Sequence, residues 1–145
     1  MIAVDTNLLV YAHRRDASWH GRAREVLRNL AVGAAPWAIP WPCVHEFLAI
    51  VTHPRIFKPP TPLEAALSEI RNWLGSPSLV LLSEGETYAE ALFSTLETGR
   101  VAGPRVHDAR IVALCLAHGV RELWSADRDF TRFPELALRN PLVVP

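Results

Sequence analysis

Apolar residues in this chain fall into two kinds of spacing. Short unbroken runs, Ile2–Val4, Trp37–Ile39 and Leu79–Leu82, read as strands, and so does Glu122–Trp124. Between them, apolar positions recur at helical spacing. Leu8, Leu9 and Ala12 give a helix over Thr6–His13, and Ala23, Val26, Leu27 and Leu30 give one from about Trp19 to Val32. Asp16 and Ser18 are its candidate N-caps. Pro42 suits the first turn of a helix running to about Thr52, and Pro62 starts another that ends near Gly75. Glu86–Glu97 and Asp108–His118 read as helices, the latter closed by Gly119. The segments HPRIFKPPTP and TGRVAGPRVH read as loops, SADRDF as a turn into a short helix, and Leu142–Val144 as a last edge strand.

Strands therefore alternate with helices along the whole chain, with no internal repeat. The predicted fold is α/β: a central parallel sheet of four to five short strands with helices on both faces, in a single domain over residues 1–145. In such sheets the ligand site lies beyond the carboxyl ends of the strands.

Composition narrows the picture. Half the residues are hydrophobic and 21% are charged, which suits a packed core and argues against disorder. Lys+Arg equals Asp+Glu, so a generally basic surface is not the route to a partner. Two cysteines, Cys43 and Cys115, are too few for a disulfide framework or a zinc site and read as small core hydrophobes. No apolar stretch is long enough to span a bilayer, and no basic segment precedes an apolar leader. The expectation is a cytoplasmic protein without membrane contact.

The acids carry the chemistry. The chain has five Asp: Asp5, Asp16, Asp108, Asp127 and Asp129. Asp5 ends the first strand, Asp127 follows the strand at 122–124, and Asp108 starts a helix, so all three fall on the carboxyl rim of a parallel sheet. Glu46 sits among apolar neighbours in CVHEFLAIV, where a carboxylate is costly unless paired or bound to a cation. Each acid taken singly has an ordinary use, as a helix cap at Asp5 or Asp108, a turn residue at Asp127, or an Arg partner at Glu46. Capping does not explain why they recur at corresponding points of successive units. Clustered carboxylates without cysteine suit a hard divalent cation, Mg2+ or Mn2+, and displacement at phosphorus.

The segments MIAVDTNLLVYAH, VHEFLAIVTHP, HDARIVALCLAHGV and ELWSADRDFTRFP, in that order, resemble the PIN-domain proteins, most closely the VapC-type toxins of bacterial toxin–antitoxin pairs. The resemblance implies a PIN-like three-layer fold and a metal-dependent endoribonuclease. It implies that Asp5, Glu46, Asp108 and Asp127 are the catalytic acids. Asp5 and Asp108 would be the direct ligands of Mg2+ or Mn2+, with Glu46 and Asp127 acting through water or a second ion. Thr6, Asn7, Ser125 and Asp129 would support them; Ser125 stands where the family often has Thr and keeps the hydroxyl. A metal-activated water would cleave RNA to a 5′-phosphate and a 3′-hydroxyl. The implied partners are a VapB-like antitoxin, the RNA substrate and a second copy of the chain in a homodimer.

Arg105, Arg110 and Arg128 flank these motifs and are candidate RNA contacts, as are His13-Arg14-Arg15 after the first helix. Trp41 is a candidate for stacking an unpaired base, with packing as its plainer use. A histidine-based, metal-free cleavage has His45 and His107 as its candidates; each is a sequence neighbour of an acid and so faces away from it on a helix. Haloacid-dehalogenase-type phosphatases need a second Asp where Asn7 stands. A PIN-like scaffold that binds RNA or protein without cutting is the non-enzymatic alternative, and the intact acid set speaks against it.

Overall fold

A computed structural model describes residues 1–143. The strands are β1 (Ile2–Val4), β2 (Trp37–Pro40), β3 (Leu79–Leu82), β4 (Glu122–Trp124) and β5 (Ala137–Arg139). The helices are α1 (Thr6–His13), α2 (His20–Val32), α3 (Trp41–Val51), α4 (Leu63–Leu74), α5 (Tyr88–Gly99) and α6 (Val106–Ala117). Short 3-10 turns occupy Gly103–Arg105 and Arg128–Arg132.

All strand pairs are parallel, in the order β3-β2-β1-β4-β5. The chain steps outward from β1 through β2 to β3, then returns to the other side of β1 for β4 and β5. Right-handed crossovers in opposite directions place their helices on opposite faces of the sheet. Accordingly α1 packs on α2 and α3, and α3 on α4, while α5 and α6 pack on each other. The order reverses between β1 and β4, and a parallel sheet opens a crevice at that switch point.

The central strands read as apolar runs because both faces are covered. Ala3, Val4, Trp37, Ala38, Ile39 and Leu123 are fully buried. Phe47 of α3 is also fully buried and meets Trp73 of α4 edge-on, with ring centroids 4.7 Å apart. Truncating such an aromatic to Ala costs about 3–5 kcal/mol. No helix among the described residues is long and apolar enough to cross a membrane.

Four expectations need correction. The last strand is Ala137–Arg139; Leu142 lies in a turn, and Val144 falls outside the described residues. The β3 strand is an edge with Val80 exposed, not a buried strand. Helix α5 starts at Tyr88, two residues later than its acidic leader suggested. Neither Asp16 nor Ser18 caps α2, whose N-cap position is Trp19 without a side-chain bond. Asp16 is instead gripped by Arg14, at 2.9 Å from Nε and 2.6 Å from Nη2.

Candidate active site

Asp5 is the first residue past β1. Its amide still follows the sheet ladder, donating to the Trp124 carbonyl at 3.0 Å. Ser125 is the first residue past β4, so the two side chains emerge side by side at the switch point. Asp5 is 5% exposed, and both of its carboxylate oxygens are engaged. Ser125 Oγ donates to Oδ2 at 2.7 Å, Asn7 Nδ2 reaches the same oxygen at 3.3 Å, and Cys43 Sγ–H points to Oδ1 at 3.6 Å. Asp5 occupies the N-cap position of α1 but forms no side-chain cap bond; its oxygens serve the site instead.

Asn7 and Ser125 form a small lattice. Asn7 Nδ2 also donates to Ser125 Oγ at 3.0 Å, and Asn7 Oδ1 accepts the Ala126 amide at 3.1 Å. Ser125 Oγ accepts the Asp127 amide at 3.0 Å. One hydroxyl thus links the acid of β1 to the loop that carries the acid after β4. Asp127 accepts the Asp129 amide through Oδ1 at 2.9 Å, which caps the 3-10 turn and sets the direction of that loop.

Glu46 enters from the second turn of α3. Thr6 Oγ1 donates to Glu46 Oε2 at 2.8 Å, tying the start of α1 to α3. Asp108 stands in the first turn of α6, where the helix dipole favours a negative charge. It is not the N-cap, a position held by Arg105.

The electrostatics show which acids act on one another. Burial, and next the nearby Glu46, raise Asp5 to about 6 from its ordinary 3.8, against the opposing hydrogen bond from Ser125. Asp108 is also raised, first by burial and then by Asp127, Asp129 and Glu46, with Arg105 opposing. Glu46 therefore couples to both Asp5 and Asp108, and Asp108 to the loop acids. Among the described residues, Asp5, Glu46, Asp108 and Asp127 form no ion pair; Arg105 meets only Asp129, at 3.9 Å. A set of acids on one rim without cationic partners has the donor chemistry of a hard divalent cation site. Among the described residues, no three His, Cys, Asp or Glu side chains stand close enough to form a ready ligand cage. The residues suit a cation in charge and chemistry, while their spacing is that of an open set of acids.

The remaining candidates lie as follows. Arg110 pairs with Glu84 at 3.3 Å rather than with the acids, and Arg128 is exposed. Arg14 is committed to Asp16, to the Pro59 carbonyl at 3.0 Å and to Thr61 Oγ1 at 3.2 Å, with its guanidinium over the Phe57 ring. It clamps the Pro-rich loop and is not free for RNA. Trp41 stacks on His45. A separate cavity of about 500 Å3 between α1, α2 and α4 has Arg15, Arg24, Arg28, Glu69 and Trp73 in its walls and none of Asp5, Glu46, Asp108 and Asp127. The contact of Cys43 with Asp5 was not legible as such, although Cys43 stands one turn before Glu46 on α3.

Comparison with known proteins places this geometry. A PIN domain is matched over residues 2–136. The chain is 34% identical over 142 residues to Ribonuclease VapC43 of Mycobacterium tuberculosis, covering 98% of this chain and 96% of that protein. It is 28% identical over 137 residues to Ribonuclease VapC48 of the same organism, covering 94% of each. VapBC2 from Rickettsia felis, solved bound to a DNA fragment from its promoter, superposes with a TM-score of 0.69 at 21% identity, covering 97% of this chain and 98% of that one. The chain belongs to the PIN-domain family, with VapC ribonucleases as full-length relatives.

Proposed function

We propose that this protein is the toxin of a VapBC-type toxin–antitoxin pair, an endoribonuclease that uses Mg2+ or Mn2+. The observation that carries the reading is the uncompensated acid set at the switch point, Asp5 with Glu46, Asp108 and Asp127, held by Thr6, Asn7 and Ser125. The full-length similarity to VapC ribonucleases supports RNA as the substrate.

Asp5 and Asp108 would hold the cation, with Glu46 and Asp127 completing its surroundings. When bound, the cation supplies Lewis-acid activation of water and neutralises charge on the phosphoryl oxygens. The protein's own residues do the positioning. Ser125 and Asn7 fix Asp5 Oδ2, so that the carboxylate does not rotate away from the rim. Thr6 holds Glu46 Oε2 and leaves the second carboxylate oxygen for a water or a ligand. Arg105, held near the acids by Asp129, is placed to receive a phosphate of the incoming strand, and Arg128, the residue before Asp129, is exposed. A VapB-like antitoxin and a second copy of the chain are the proposed protein partners, the first supported by the toxin–antitoxin relatives.

The test is RNA cleavage by purified protein with Mg2+ or Mn2+, compared with Asp5→Asn and Asp108→Asn. The proposal expects both variants to lose cleavage while remaining folded. Full cleavage by both variants would sink it. The alternative of a non-cutting scaffold expects no cleavage by the unaltered protein, and nothing in the intact acid set favours it.

A further inference from the structure

A cavity of about 300 Å3 lies on the carboxyl rim between the first turn of α3, the residues at the end of β3 and the second and third turns of α6. Trp41, Leu82, Glu84, Arg110 and Leu114 line it. It shares the carboxyl rim with the acids but not their side of α6: Asp108 and Arg110 are two residues apart and point to opposite sides of the helix, while Glu46 is five residues along α3 from Trp41, a rise of about 7.5 Å. Leu82 and Leu114 are fully buried and back the cavity with apolar side chains. Trp41 is 37% exposed while stacked on His45, with centroids 6.2 Å apart and planes 30° apart. Arg110 and Glu84 stand side by side on the rim, 3.3 Å apart and each about half exposed.

We infer that this cavity is a base-binding subsite that takes an unpaired guanine of the RNA. The inference rests on the ribonuclease reading and specifies what that enzyme recognises. An aromatic wall backed by apolar side chains suits any base, because every base has a π face. The charged pair narrows the choice. Guanine presents two adjacent donors, N1–H and N2–H2, to a carboxylate, and the acceptors O6 and N7 lie next to them for a guanidinium. Adenine and cytosine would each set a ring-nitrogen acceptor against Glu84, and uracil would offer it a single donor. Glu84 and Arg110 are neighbours, as guanine's two edges are. A base seated here would anchor the strand on the same rim of the sheet as the acids, so guanine would fix the cleaved bond relative to itself.

The experiment uses short RNAs, otherwise of pyrimidines, that carry one guanine, or inosine or adenine in its place. Cleavage site, kcat and KM are measured for the unaltered protein and for Trp41→Ala, Trp41→Phe and Glu84→Gln, each checked for an unchanged melting temperature. The expected result is a cut at a constant distance from the guanine and a loss of at least about 10-fold in kcat/KM with inosine, which lacks the N2 amino group. Glu84→Gln should lose a similar factor on guanine RNA and little further on inosine RNA. Trp41→Ala should raise KM about 10-fold with kcat nearly kept, and Trp41→Phe should restore it. Cleavage indifferent to guanine, or Trp41→Ala and Glu84→Gln that behave as the unaltered protein, overturns the subsite and leaves the ribonuclease reading standing. Absence of cleavage of any RNA overturns both.

Discussion

Ser125 Oγ lies 2.7 Å from Asp5 Oδ2, joining residues 120 apart in sequence at the ends of two neighbouring parallel strands. The same hydroxyl accepts the amide of Asp127. It is therefore a joint between the buried acid of β1 and the acid-bearing loop after β4. Ser125 is 1% exposed, so no solvent replaces it if it is lost.

Removal of that hydroxyl in Ser125→Ala leaves the Asp5 carboxylate, the Asp127 amide and Asn7 Nδ2 short of one partner each. A loss of about 1–3 kcal/mol in urea unfolding is expected, because an unmet buried polar group costs more than a hydrogen bond gains. RNA cleavage should fall further than this loss of stability explains at temperatures where the variant is folded. Unchanged stability would show that the Ser125 hydroxyl contributes nothing to holding the fold.

Thr6→Val keeps the shape of the side chain and removes the donor to Glu46 Oε2. Glu46 is only partly buried, so water can replace the lost bond, and the stability change should stay near 1 kcal/mol or below. Cleavage should drop about 10–100-fold, the usual effect of releasing a group that orients a cation's surroundings. Kinetics and unfolding of the same preparation separate the two effects.

Asp5 links stability to pH. Its carboxyl is raised to about 6 by burial and Glu46, from 3.8, and Asp108 shifts in the same direction. Between about pH 4 and pH 6 the cation-free folded protein holds a proton that the unfolded chain has released. Stability therefore falls as pH rises through that window, by up to about 3 kcal/mol from Asp5, and does not recover above it. A divalent cation held by Asp5 would offset this cost once the carboxyl is ionised. Unfolding in EDTA should show the fall, and added Mg2+ or Mn2+ should raise the melting temperature more at pH 7.5 than at pH 5. Burial lowers His13 and opposes this trend, so the comparison is with Asp5→Asn: a cation-free pH dependence between about pH 4 and 6 that is the same in both proteins would contradict the burial of an ionisable Asp5.

Arg14→Ala should free the loop at 53–62. Arg14 bonds Pro59 and Thr61 and covers the Phe57 ring, so the loop loses its clamp while the acids keep their partners. Faster limited proteolysis within the loop, with cleavage of RNA retained, is the expected result. Equal proteolysis rates would show that the backbone bond from Thr61 to Val51, at 2.7 Å, suffices to hold it.

Much of this was legible in the sequence for identifiable reasons. Strands buried on both faces spell themselves as apolar runs, as β1 and β2 do; β3 carries the same apolar spelling although it is an edge, and β4 is short and led by Glu122. Asp5 was visible because it ends such a run, and Glu46 because it interrupts an apolar helix. The edge strand Ala137–Arg139 was not visible, since three residues of mixed polarity carry no periodicity, while Leu142–Val144 imitates a strand by composition alone. Asp16 looked like a cap because short polar side chains before a helix usually are; Arg14, two residues away, took it for an ion pair. The contact between Cys43 and Asp5 depends on how α3 packs over β1, which no local pattern encodes. Likewise, the Arg110–Glu84 pair depends on where β3 ends relative to α6.

The central claim is that RNA is cut by a cation held among these acids. It is tested most directly by incubating the purified protein with RNA in EDTA, then with Mn2+ or Mg2+ restored, beside Asp108→Asn. The account predicts no cleavage in EDTA, recovery on adding the cation, and a loss of at least about 100-fold in Asp108→Asn. Cleavage that persists in EDTA, or that Asp108→Asn performs at the full rate, would contradict it and turn attention to histidine chemistry at His45 and His107.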